Sequence, residues 1–316
     1  MAKYRVLSID GGGIRGLITT VMMQRLAATP GLEDFLDKVD LIAGTSTGGL
    51  LALGIARGLP LDEIRDLYLN DGKEIFDDSW IDDLLDLGKL RGADYKTKNM
   101  RKVFKRVLGK DTTLGDLEKH VLVTAFDLDN GDPNKEKRTW KPKLFHNFHG
   151  PRNDRKELAY KVGLYTAAAP TYFPAVDGYV DGGVYANNPS MCALAQTQDE
   201  RYFKEPDTPP KISEIVLLSL GTGTSLYYIP RKNLDWGYAQ WIKPLISLML
   251  DGISGIAHFQ CKQILRDRYH RQAPVFPSDV SIPMDAIKKM PYMVEFADKV
   301  KLKKTTDWMK AFWMPG

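Results

Sequence analysis

A serine set among glycines is the first group in this sequence with an evident chemical use. Gly44-Thr45-Ser46-Thr47-Gly48 follows the apolar run Val39-Asp40-Leu41-Ile42-Ala43 and precedes a helical pattern over Leu50 to Arg57. A strand that turns sharply into a helix exposes the middle residue of the turn, and small neighbours let the strained backbone close. The helix N-terminus behind it favours a developing negative charge. These are the requirements of a nucleophilic hydroxyl. A second turn, Asp10-Gly11-Gly12-Gly13-Ile14-Arg15-Gly16, stands between the strand-like Tyr4 to Ile9 and a helical pattern over Leu17 to Ala28. Formally it contains G-x-G-x-x-G, but a dinucleotide site also needs an acidic residue at the end of the next strand, where Ala43-Gly44 stand instead. The other use of consecutive glycines is as unobstructed N–H donors for the oxyanion of an acyl-transfer intermediate, with Gly11, Gly12 and Gly13 as candidates. Close helix-on-strand packing is the purely structural alternative for both turns.

A serine hydroxyl needs a base. The five histidines, at 120, 146, 149, 258 and 270, all lie outside small-residue turns. Tyr179-Val180-Asp181-Gly182-Gly183 reads as a short strand delivering a carboxylate into a glycine turn, although an Asp-Gly pair that merely stabilises a turn reads the same way. An ordinary carboxylate is a poor base for a hydroxyl, so this pairing requires a dry site and a short hydrogen bond. Asp10 and Asp40 read as structural.

The elements that must position these groups alternate. Strands are expected at 4–9, 39–43, 120–127, 143–148, 179–180 and 214–220. Helices are expected at 17–28, 50–57, 61–69, 100–108, 157–168 and from Pro189 with Asn188 as cap. Alternation of this kind predicts an α/β fold: a mostly parallel central sheet of five or six strands with helices on both faces, in three layers. Both glycine turns then lie at carboxyl ends of strands, on one edge. The charged, proline-containing segments 127–142 and 201–211 read as surface loops. One domain spanning 1–316 is expected, with a motif-bearing core at about 4–224 and a helical C-terminal region at about 225–316.

Composition agrees with this and narrows the partners. With 316 residues, 43% hydrophobic and 27% charged, the chain is globular rather than disordered, collagen-like or coiled-coil. A net charge of +4 is too even to point to nucleic acid. Cys192 and Cys261 are too few for a disulfide framework and favour a reducing, cytoplasmic setting. The amino-terminal residues offer no signal-peptide pattern, no uncharged run is long enough for a membrane span, and no metal-ligand spacing or cofactor motif stands out.

Taken together, Asp10 to Gly16, Gly44 to Gly48 and Asp181 to Gly183 resemble the ordered signature of the patatin-like phospholipases, D-G-G-G-x-R-G, G-x-S-x-G and D-G-G or D-G-A. Ala169-Pro170-Thr171-Tyr172-Phe173-Pro174, Asn187-Asn188-Pro189 and Gly221-Thr222-Gly223 extend the likeness, which covers about residues 4 to 224. The resemblance implies a lipid acyl hydrolase of phospholipase A, lysophospholipase or esterase type. In it Ser46 forms an acyl-enzyme, Asp181 is base and then acid without a histidine, and the Gly11–Gly13 loop is the oxyanion hole. The resemblance, not the spacing, selects Asp181. Arg15 belongs to the same motif and reads equally as a lipid-phosphate ligand or as a brace for the loop. No metal or other cofactor is implied. Family members also act as membrane-degrading effectors switched on by a bound signal, so latency residing in 225–316 is a further expectation.

Three rivals stand beside this reading: a Ser46-Asp181-His triad using His258 or His270, an acyl-carrier acyltransferase, and a lipid binder without catalysis. The acyltransferase expects histidine beside the serine, where Thr45 stands. Expected partners are a phospholipid or other acyl ester, peripheral membrane contact and, compatibly, a second copy of the chain. Residues 236–265, carrying Trp236, Tyr238, Trp241, Ile242, Leu245, Ile246, Leu248, Met249, Leu250 and Ile253, read as a core helix or as a lid or dimer surface, with Pro244 interrupting any long helix. Lys299 to Trp313 mixes lysines with Trp308, Phe312 and Trp313 and reads either as an interfacial anchor or as a helix packed on the domain.

Overall fold

The computed structural model describes residues 3–75, 92–151, 153–170, 172–203, 208–232 and 235–315. Thr171 and residues 204–207 of the expected 201–211 loop lie outside the described residues, as do the side chains of Tyr238, Ile242 and Ile246.

A seven-stranded sheet forms the centre. Its strands are β1 (Tyr4–Ile9), β2 (Leu41–Thr45), β3 (His120–Asp127), β4 (Lys141–His146), β5 (Tyr179–Asp181), β6 (Ile215–Leu220) and β7 (Tyr269–Gln272). Along the sheet the order is β4-β3-β2-β1-β6-β7, with β5 paired to β3. Strands β3, β2, β1, β6 and β7 are mutually parallel, while β4 and β5 run antiparallel to β3. The mostly parallel sheet expected from the sequence is therefore present.

Period-two alternation divides the core into two faces. Leu7, Ile9, Ile42, Val121, Val123, Val216 and Leu218 point to one face. They meet α1 (Gly16–Ala27), α2 (Thr47–Ala56), α3 (Gly92–Leu108) and α4 (Ala159–Ala167). Val6, Leu41, Ala43, Leu122, Ile215 and Leu217 point to the other, where α5 (Ser190–Gln196) and the end of α6 (Tyr238–Leu265) supply Ala193, Leu194, Cys261 and Leu265. Both cysteines are free.

One pairing decides where the chemistry can be. On β3, the edge shared with β2 is used from His120 to Thr124, and β4 occupies the opposite edge from Leu122 to Asp127. β5 pairs with Ala125 to Asp127, so it takes up the first edge where β2 leaves it. Thr45 lies opposite Thr124 and Asp181 opposite Ala125. Adjacent residues of one strand thereby bring the end of β2 and the end of β5 together, although they are far apart in sequence.

Several expectations need correction. Pro244 does not interrupt α6, which runs unbroken for 28 residues. Its missing N–H frees a carbonyl only near the exposed amino-terminal end, where water can replace the lost bond. The sequence also gave no sign of β7, because Tyr-His-Arg-Gln carries too little apolar character to mark an edge strand. Finally, the aromatic residues near the C-terminus are not offered to an interface. Trp313 is fully buried and donates its indole N–H to the Phe35 carbonyl at 3.0 Å. Trp308 packs on the core and donates to the Asp267 carbonyl at 2.7 Å. With α7 (Met290–Lys299) and α8 (Lys303–Trp308) in the same cluster, the C-terminal region is a clasp on the first face.

β7 also supplies Arg271, whose guanidinium meets the buried Asp10 carboxylate through two bonds of 3.0 and 2.5 Å and donates to Ser219 Oγ at 2.7 Å. Asp10 is thus the structural residue its sequence context suggested. Removing Arg271 strands a carboxylate that is only 4% exposed. Arg271→Ala is expected to cost about 3 kcal/mol of unfolding free energy, measured by urea denaturation, whereas a loss below about 1 kcal/mol would show that the pair does not anchor the loop.

Candidate active site

Ser46 is held at the junction of β2 and α2 with φ 55° and ψ −127°, a left-handed conformation that is costly for a residue with a side chain. Two backbone contacts leave no room for anything but glycine beside it. A Cβ on Gly44 would collide with the Gly48 carbonyl, and a Cβ on Gly48 with the carbonyls of Ile9 and Asp10. The glycines of the motif therefore serve close packing between β2, α2 and β1, and that packing over-determines the strained serine. The Ser46 N–H donates to Thr166 Oγ1 at 2.7 Å, and Thr45 Oγ1 donates to the Ala186 carbonyl at 2.5 Å.

The Ser46 hydroxyl lies close enough to the Asp181 carboxylate to stabilise its charge, and both residues line one cavity. Asp181 Oδ1 also accepts the Gly183 N–H at 2.7 Å. Burial pushes the Asp181 carboxyl up to about 6, against the opposing pull of the serine hydroxyl and that N–H. A carboxylate raised this far is a better proton acceptor than one in water and still ionised at neutral pH.

The glycine loop lies against the same serine. A Cβ on Gly11 would come within 3.3 Å of Ser46 Cβ. Gly11 itself is spent: its N–H donates to the Asn187 carbonyl at 3.0 Å, and its carbonyl accepts Thr222 Oγ1 at 2.8 Å. Of the three glycines, Gly12 and Gly13 are the ones at the cavity, which they line with Ser46. Arg15 donates its Nε to the Gly12 carbonyl at 3.3 Å, and its backbone N–H reaches the same oxygen at 3.2 Å. Burial lowers the Arg15 pKa, and Tyr227, Asp251 and Tyr172 lie within electrostatic reach of its charge. Arg15 is not among the cavity-lining residues, so its contacts are those of a brace.

The cavity encloses about 550 Å³ and opens over Ser46 and Asp181. Its walls are largely apolar, with Leu50, Met100, Phe104, Phe173, Met249 and Ile287 among them. Such a space suits a hydrocarbon chain whose polar end meets the hydroxyl.

The histidine rival finds no partner here. His258 Nδ1 is 3.1 Å from Tyr269 Oη, and His270 Nε2 is 2.9 Å from Thr305 Oγ1 while its ring stacks on Trp308. Neither lines the cavity. Burial lowers both, His270 to about 4. Residues that sequence reasoning missed are Thr166 and Asn187 in its loop-holding role. No local pattern distinguishes them, because each acts through a contact distant in sequence.

The model of the family described as patatin-like phospholipase matches residues 7–194. A protein named cGAMP-activated phospholipase from Vibrio cholerae serotype O1 is 32% identical over 73% of this chain and 68% of its own length. A protein of the same name from Escherichia coli strain TW11681 is 32% identical over 84% of this chain and 76% of its own. Patatin-like protein 1 of Oryza sativa subsp. indica is 31% identical over 80% and 69%.

The buried charge of Asp181 also has a thermodynamic signature. Its folded pKa lies above the usual 3.8, so its contribution to stability is present below about pH 4 and is lost as pH rises through 6. Asp181→Asn removes that charge and is expected to raise unfolding free energy at pH 7.5 by about 2 kcal/mol. A destabilised Asn variant would contradict the raised pKa.

Proposed function

This chain belongs to the patatin-like phospholipase family, and from that premise we propose that it is a serine acyl hydrolase. It cleaves acyl esters of glycerophospholipids through Ser46 and Asp181 by way of an acyl-enzyme. The observation that carries the reading is the placing of the Ser46 hydroxyl beside a buried carboxylate in the wall of a largely apolar cavity.

The steps follow from that geometry. Asp181 takes the Ser46 proton as Oγ bonds to the ester carbonyl carbon, and the carbonyl electrons move onto its oxygen. The N–H groups of Gly12 and Gly13, backed by the N-terminus of α2, donate hydrogen bonds to that oxyanion. Its collapse breaks the bond to the alcohol oxygen, which leaves with the proton returned by Asp181. Water then attacks the acyl-enzyme while Asp181 accepts a proton from it, and the fatty acid departs as Ser46 is reprotonated. The acyl chain lies along Leu50, Met100 and Phe104.

Among the described residues no helix is long and apolar enough to cross a membrane. A cytoplasmic chain acting on lipid from one side of a membrane fits this reading, and the two free thiols agree with it.

Fluorophosphonate labelling tests the nucleophile. The native chain is expected to be labelled at Ser46, and Ser46→Ala to lose labelling together with at least about 10⁴-fold of its ester hydrolysis. No labelling of the native chain would favour a lipid binder without catalysis. The kcat/KM for a water-soluble ester is expected to fall about tenfold per pH unit below an apparent pKa near 6, because a protonated Asp181 cannot accept the serine proton. A flat profile down to pH 4.5 would remove Asp181 as the base.

A further inference from the structure

α6 presents one apolar stripe to solvent along its length. Trp241, Leu245, Leu248, Met249, Ile256 and Phe259 recur at helical spacing, with Leu248 at 49% and Phe259 at 57% exposure. The opposite side is fixed to the domain. Ala257 and Cys261 are buried, and Ser254 accepts from the Asn187 and Asn188 side chains at 3.1 and 3.3 Å. The stripe covers 19 residues, about 27 Å of helix.

Its position relative to the cavity sets it apart from a scatter of exposed apolar residues. Met249 belongs both to the stripe and to the cavity wall, and Leu250 lines the cavity beside it. Ser281, at the cavity, bonds Tyr227 Oη at 3.1 Å and accepts Lys289 Nζ on its carbonyl at 2.6 Å. This draws two further groups to the mouth: the loop of Leu226, Tyr227 and Tyr228, the last 86% exposed, and the cationic pair Lys288-Lys289. Arg231 and Lys232 follow that loop, and both are exposed.

We propose that this face, the α6 stripe with the loop of Leu226 and Tyr228, docks on a phospholipid surface containing anionic headgroups. The inference rests on the acyl-hydrolase reading of the cavity and names the surface from which its substrate comes. Two observations select lipid as the occupant. The stripe reaches the cavity wall through Met249, which gives an acyl chain leaving a bilayer an apolar contact on its way to Ser46, whereas a second copy of the chain seated there would stand between the cavity and the lipid. Lys288 and Lys289 at the cavity, with the exposed Arg231 and Lys232 that follow the Tyr228 loop in sequence, complement anionic headgroups, as expected of a helix lying in an interface.

The test uses the full chain carrying Ser46→Ala, so that vesicles stay intact, and vesicles of phosphatidylcholine mixed with phosphatidylglycerol. Sedimentation is expected to show binding that weakens with salt and falls at least about tenfold in a variant with Trp241→Glu, Leu245→Glu and Leu248→Glu. With Ser46 restored, the same variant is expected to cleave a water-soluble short-chain ester within about twofold of the parent, which shows that fold and site survive. Should the triple variant fail to fold, single Leu248→Glu is read in the same way, with at least about a threefold loss of vesicle binding expected. Unchanged vesicle binding in the folded variant overturns the proposal. So does a parent that forms dimers and ignores vesicles while the variant is monomeric. A chain that binds vesicles through this face yet cleaves no ester defeats the hydrolase reading and leaves the docking surface standing.

Discussion

A carboxylate buried without a cation is the condition on which the site depends. Asp10 and Asp181 are both almost inaccessible aspartates at strand ends, but their surroundings differ. Asp10 is pushed up by burial too, but the Arg271 guanidinium meets it through two bonds that oppose the push and tie it into the framework. The shift of Asp181 is set by burial, the Ser46 hydroxyl and the Gly183 N–H, a set that stabilises its charge incompletely and leaves it basic. The rest of the fold can be understood as maintaining that imbalance: β5 brings the carboxylate in, the glycines let the serine approach it, and the apolar cavity keeps water from relieving it.

The strain at Ser46 is held in the same manner. A left-handed serine persists only where its surroundings leave no alternative. Here they consist of Gly44 and Gly48 in contact with backbone, the Thr166 hydroxyl on the Ser46 N–H, and β1 packed under the first turn of α2. The glycine loop is fastened with comparable economy. Asn187, Thr222 and Arg15 each take a group from it, and what remains towards the cavity is the stretch of Gly12 and Gly13.

Much of this was legible in the sequence because strand-turn-helix signals are local. Both glycine turns, the exposed serine and the alternating elements could be read from short windows, and β3 falls at 120–127 as expected. Asp181 could not be chosen by local reasoning, since its role comes from the step between Thr124 and Ala125 on a third strand. β7 was invisible for a related reason: its important residue is an arginine whose partner lies 261 positions earlier. Gly11 misled because a bare glycine says that a donor is unobstructed, not that it is unengaged. The C-terminal aromatics left two readings open because a mixed lysine and aromatic pattern describes equally a helix lying in lipid and one closing a core.

The closure of the sheet by its last residues has a consequence during synthesis. A nascent chain on the ribosome carries its serine early, yet the strand bearing Asp181, the guanidinium that anchors the glycine loop, and the tryptophan that seals the first face emerge later, in that order. Ser46 therefore has no fastened glycine loop beside it until Arg271 has been added, and fragments that stop before it carry the serine without the framework around it.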